Sequence, residues 1–264
     1  MNRILRYRLS PIMATVGLSW WTIQVLPPFD GAVAVVIAIA SATWIIYPLD
    51  PILDPRDREP GEGMRSWTSI RLLVAMIIFV TATIDLRDES RLMAWIGLPL
   101  AALYAIPLQG KRLKDRSITK IPFISLAVTI ACVGIPWLQS DGGQPLQITL
   151  LFMAMLLLVA SSVIVCDLRD RVRDQLAGLK TLATERPSGT LKLIRGLFMV
   201  ICLLASSIVV MDPTAISMGQ GVGLLLATIT LNIAASKKQQ PILMTLLADG
   251  SLALPALCGA LVPG

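Results

Sequence analysis

Three aspartates, Asp167, Asp170 and Asp174, stand three and four residues apart in a chain of 264 residues that contains no histidine. If one helix carries them, they share one face. Carboxylates stacked so closely repel, so the cluster calls for a counter-charge. Two sources are open. A hard cation such as Mg2+ takes oxygen ligands and commonly links a few carboxylates to a substrate phosphate. Alternatively, the interleaved Arg169, Arg171 and Arg173 neutralise a solvated polar loop by themselves. A second acidic stretch lies at 44–57, where Asp50 and Asp54 are four apart and Asp57 follows three later. Pro48, Pro51 and Pro55 disfavour helix at the residues before them, so a helix is expected to end or unwind there. Between the two acidic stretches, after Tyr104 and Pro107, come Lys111, Arg112, Lys114, Arg116 and Lys120. Lys and Arg of this kind bind phosphate oxygens.

The missing histidine removes Ser-His catalysis, His-ligated haem and the usual zinc sites together. Cys132, Cys166, Cys202 and Cys258 lie in or at the ends of apolar segments without paired spacing, so neither a disulfide framework nor a zinc site is suggested.

The elements that must position these residues are apolar runs. Hydrophobic residues make up 55% of the chain and charged ones 15%, with a mean hydropathy of +0.73; a soluble domain carries more charge. Nine apolar runs can be counted, near 10–27, 31–49, 67–84, 92–108, 121–138, 146–166, 191–211, 214–235 and 241–262. Runs of this length cross a bilayer. Alternating strands of the β-barrel type are absent. The fold class expected is all-α: a polytopic membrane protein of nine transmembrane helices in one bundle around a cytoplasm-facing cavity, with 1–264 forming a single domain.

Lys and Arg concentrate before run one and in every second connection thereafter, and only Arg87 and Arg91 interrupt the pattern. The positive-inside rule then places the N-terminus in the cytoplasm. Both acidic stretches and the basic loop fall on that side. The +6 charge is accounted for by topology and not by nucleic acid. Ala32-Val33-Ala34 has the form of a cleavage site, but it lies inside the second run, so the first run reads as an uncleaved anchor. The expected location is the inner (plasma) membrane.

On these residues the chain resembles a known family. The phrase Asp-Leu-Arg-Asp-x-x-x-Asp-x-x-x-Gly-x-Lys-Thr-Leu at 167–182 is similar to the second aspartate motif of UbiA-type membrane prenyltransferases, and acidic motifs after helices two and six match that superfamily. Its first motif, Asn-Asp-x-x-Asp-x-x-x-Asp, aligns its last two aspartates with Asp50 and Asp54, while Ile46 and Tyr47 stand where Asn and Asp are expected. Its Tyr-x-x-x-Lys element meets Tyr104 but has Leu at 108, and Cys166 replaces a frequent Asn. The chain therefore looks like a divergent branch. The resemblance implies Mg2+ held by Asp50, Asp54, Asp167, Asp170 and Asp174, which also serve as the catalytic carboxylates. It implies a polyprenyl diphosphate bound by Tyr47, Tyr104, Lys111, Arg112, Lys114, Arg169 and Lys180, and a lipophilic, aromatic acceptor that takes the prenyl group.

Two other readings are kept. The altered first motif fits a relative acting as a lipid-binding or accessory protein. Asp249, inside the ninth run, fits a secondary transporter, since an intramembrane acid is a functional hypothesis by default; no convincing repeat of the transporter kind supports it. Asn232 and Gln24 are expected to hydrogen-bond between helices.

Overall fold

The structure, a computed structural model, describes residues 9–53, 66–104, 117–176, 178, 180–211, 214–236 and 241–261. Among them there is no strand. The helices are α1 (Ser10–Val25), α2 (Ala32–Leu53), α3 (Ser66–Ile84), α4 (Asp88–Leu103), α5 (Ser117–Thr129), α6 (Ile135–Gln139), α7 (Pro145–Leu176), α8 (Leu182–Glu185), α9 (Pro187–Met211), α10 (Ala215–Ser236), α11 (Pro241–Ser251) and α12 (Leu254–Leu261). A π-helical segment, Ile130–Gly134, joins α5 to α6 within the fifth apolar run. The ninth run is α11 and α12, bent by 55° at their junction. Among the described residues, four helices are long and apolar enough to cross a membrane, or five if that bent pair is one span. The chain is a multi-pass helical membrane protein.

The helix α7 is the axis of the molecule. It packs against α5, α9, α10 and α11, and Leu151, Ala154, Met155, Leu158, Ile164 and Val165 along it are buried. Outer helices turn apolar side chains such as Leu73, Ile84, Leu203 and Val210 outward, as lipid-facing helices must. Lipid tails are as apolar as leucine, so association between such helices depends on close fit and small residues. Two glycines illustrate it. A Cβ on Gly17 of α1 would come within 2.6 Å of Ala253, and one on Gly223 of α10 within 2.5 Å of the Leu254 carbonyl oxygen. The chain at the start of α12 is thereby held against both helices.

One end of the bundle is fastened by side chains. Gln139, the last residue of α6, accepts from the Arg87 backbone N–H at 2.9 Å and donates to the Asp30 carbonyl at 3.2 Å. Arg87 pairs with Asp141 at 2.7 Å. Arg91 donates to the carbonyls of Thr83, Ile84 and Leu86, covering oxygens that the end of α3 leaves without helical partners. The two arginines that break the charge pattern thus have local structural duties. Gln24 does bond between helices, donating to the Ala256 carbonyl at 3.2 Å. Asn232 instead donates to Thr228 within its own helix, one turn back, where the carbonyl lies in reach without any neighbouring helix.

Candidate functional site

The helix α7 runs ten residues beyond the sixth apolar run and carries Asp167, Asp170 and Asp174 on one continuous rod of 32 residues. At a rise of about 1.5 Å per residue it is about 48 Å long, longer than the hydrocarbon core it crosses. The aspartates therefore sit where the helix leaves the apolar layer. Asp167 and Asp174 are buried, and the side chain of Asp170 is 20% exposed.

Their counter-charges come from two directions. Lys120, in the first turn of α5, places Nζ 2.5 Å from Asp167 Oδ1, with side-chain exposures of 21% and 1% respectively. Lys120 is also close enough to interact electrostatically with Asp174. Asp170 is gripped by its neighbour Arg169, whose Nε and Nη2 donate to the two carboxylate oxygens at 2.9 and 2.7 Å. The remaining arm of Arg169 donates to Thr245 Oγ1 of α11 at 2.7 Å. Of the three interleaved arginines Arg169 supplies part of the counter-charge, and a lysine from another helix, which neither sequence-level source included, supplies another part. The cluster is not a solvated loop.

A second layer lies behind Arg169. Asp249 of α11 accepts a hydrogen bond from Ser10 Oγ of α1 at 2.5 Å and is within electrostatic reach of Arg169. The intramembrane acid of the ninth run is therefore adjacent to the second acidic motif, not remote from it.

Tyr104, at the end of α4, stacks on Phe123 of α5 with ring centroids 5.3 Å apart. Phe123 lies one turn beyond Lys120, so this stack borders the same stretch of α5. Lys180 is exposed on the connection after α7, and among the described residues no ion pair joins it to the aspartates. Tyr47 and Asp50 ride on the last turns of α2, but their side chains lie outside the described residues, as does that of Arg173. Asp54, Lys111, Arg112 and Lys114 lie outside them altogether. Sequence reasoning did not assign Lys120, Thr245 or Ser10 to the site. Lys120 was one cation of a basic loop, and hydroxyls at helix surfaces are too common to mark a network.

The donor set is right in kind for Mg2+: buried and half-buried carboxylates with no soft ligand among them. Among the described residues, however, no three acidic, cysteine or histidine side chains gather closely enough to hold a metal ion. At the opposite end of the bundle a cleft of about 1140 Å3 opens between Phe29, Asp30, Ile78, Asp85 and Arg87; none of the candidate chemical residues lines it.

Fold and site together define a helical membrane protein with charged groups buried at one end of its bundle. The model of the UbiA prenyltransferase family matches residues 65–244, and the chain belongs to that family. Its fold is similar to that of a UbiA homolog from Archaeoglobus fulgidus bound to GPP and Mg2+, with a TM-score of 0.67 and 16% identity over 97% of this chain and 99% of that one. It is similar as well to the apo UbiA homolog from Aeropyrum pernix K1, at 0.67 and 15% over 97% of each chain. A digeranylgeranylglyceryl phosphate synthase structure is similar at 0.64 and 14% over 98% of each chain. No curated protein matches the sequence.

Proposed function

We propose that the protein transfers a prenyl group from a polyprenyl diphosphate to a lipophilic, aromatic acceptor inside the membrane. The observation that carries the reading is the buried Asp167–Asp170–Asp174 face of α7 with Lys120 and Arg169 set against it, in a chain of this family. In this reading residues 1–264 form one domain of nine spans around a cavity that opens to the cytoplasm, with the N-terminus on that side of the inner membrane.

Asp167, Asp170 and Asp174 would hold Mg2+ together with Asp50 and Asp54. Bound with the diphosphate, the metal supplies Lewis-acid neutralisation of the leaving group. The protein's own groups orient and shield. Arg169 holds the Asp170 carboxylate in a fixed plane by its two-pronged grip. Lys111, Arg112, Lys114 and Lys180 offer further cations to the phosphate oxygens, and Tyr47 and Tyr104 contact the substrate. The apolar helices exclude water, so the allylic cation formed when the C–O bond breaks meets the acceptor first. Asp249 belongs to the support of Arg169 and not to a separate ion path, which favours an enzyme over a transporter.

The test is direct. Purified protein is incubated with radiolabelled prenyl diphosphates, Mg2+ and a membrane lipid extract, and extracted lipids are examined for label. A labelled lipid that disappears with chelator is the expected result. Absence of product across chain lengths would favour the lipid-binding or accessory reading.

A further inference from the structure

The ammonium of Lys120 is placed in an uncommon way. It lies against the most deeply buried carboxylate of the motif, yet keeps 21% side-chain exposure where Asp167 keeps 1%. An ammonium carries three donors; among the described residues its one hydrogen bond is to Asp167. Two donors therefore remain for other oxygens. Asp174 on the same face adds a second negative charge within its influence. A cation so placed competes with any divalent ion for Asp167.

We propose that Lys120 is a diphosphate-binding residue that guards Asp167. In the ligand-free site it holds the carboxylate and keeps a lone divalent cation out. When a divalent cation arrives with a diphosphate, Asp167 turns to the metal and the ammonium passes to phosphate oxygens. No covalent step is involved; one ion pair is exchanged for two. The inference rests on the prenyltransferase reading and adds to it a residue that couples metal and diphosphate binding.

Binding measurements separate the two claims. Mn2+ binding is followed by electron paramagnetic resonance, alone and with a non-hydrolysable prenyl diphosphate analogue, for the parent and Lys120→Met. Loss of one charge-assisted hydrogen bond corresponds to roughly tenfold or more in affinity. Lys120→Met should therefore bind Mn2+ alone about tenfold more tightly and the Mn2+–analogue pair about tenfold more weakly, the guard and the contact being lost together. Changes of the same sign, or none, would overturn the proposal. If Lys120→Met does not fold because Asp167 loses this ion pair, Asp167→Asn is compared with Asp167→Asn/Lys120→Met. The double variant should bind the Mn2+–analogue pair about tenfold less well than the single one; equal affinities would make Lys120 a mere structural partner and end the proposal. A parent protein that binds no analogue with or without Mn2+ would overturn the prenyltransferase reading itself, and this inference with it.

Discussion

At the scale of residues, the site is defined by who neutralises whom. The guanidinium of Arg169 spends two donors on Asp170 and one on Thr245, so the carboxylate is held in one orientation. Asp170→Asn and Asp174→Asn keep the shape of each side chain and remove its charge. Each is expected to lower turnover by roughly a hundredfold or more, the scale on which a preorganised electrostatic group acts, while thermal unfolding stays close to that of the parent. Asp57→Asn, beyond Pro55 and outside the described residues, should matter less; initial rates for the three variants decide it, and a larger loss at Asp57 would move the metal site away from α7. The three- and four-residue spacing of the aspartates is enough by itself to place them on one helical face. Their partners are not legible in the same way. Lys120 is 47 positions from Asp167 and Thr245 is 76 from Arg169, and no local pattern marks either as part of the cluster.

At the scale of elements, the phrase that ends the motif has a plain structural meaning. After α7 the chain turns at Gly178, whose φ is +67°. It then enters α8 through a reciprocal cap in which Thr181 Oγ1 accepts from the Thr184 N–H at 3.2 Å and the Thr181 N–H donates to Thr184 Oγ1 at 2.8 Å. Gly178 has open space where a Cβ would be, so its requirement is conformational and not steric. Gly178→Ala should cost about 1–2 kcal/mol, and Thr181→Ala about 1 kcal/mol. Lys180→Ala, at an exposed position, should leave stability nearly unchanged. Thermal unfolding in detergent measures all three. Hydropathy locates the long helices well, because an uncharged run reads the same in sequence and in the fold. It misses α8, which is four residues long, and the break between α11 and α12. Gly250 and Pro255 flank that break, but an unbroken apolar run hides a bend that changes no residue's polarity. The second helix carries unbroken through Pro48 and Pro51 to Leu53, where the prolines predict that it ends or unwinds.

At the scale of the whole molecule, the arrangement stands on sidedness. Residues 57 and 173, replaced by cysteine in a background cleared of Cys132, Cys166, Cys202 and Cys258, should both react with a membrane-impermeant thiol reagent from the cytoplasmic side only. Labelling from opposite sides would part the two acidic stretches and end the shared-site reading. The charge pattern that predicts this sidedness is legible because membrane insertion acts on loop charge directly. Its two exceptions need the fold. Arg87 and Arg91 are spent on Asp141 and on the carbonyl end of α3, a use of charge that loop counting cannot see.

The π segment at 130–134 also sets an angle. A π turn takes up one residue more than an α turn, and one residue of an α-helix is worth about 100° of rotation. The fifth run is anchored at both ends, by Gln139 to its neighbours across the far end and by Lys120 to Asp167. The surplus residue is what lets both anchors face inward at once. A deletion there would leave a helix as apolar and nearly as long as before, yet with its two ends out of phase: whenever Gln139 stayed docked, Lys120 would point roughly a quarter-turn away from α7.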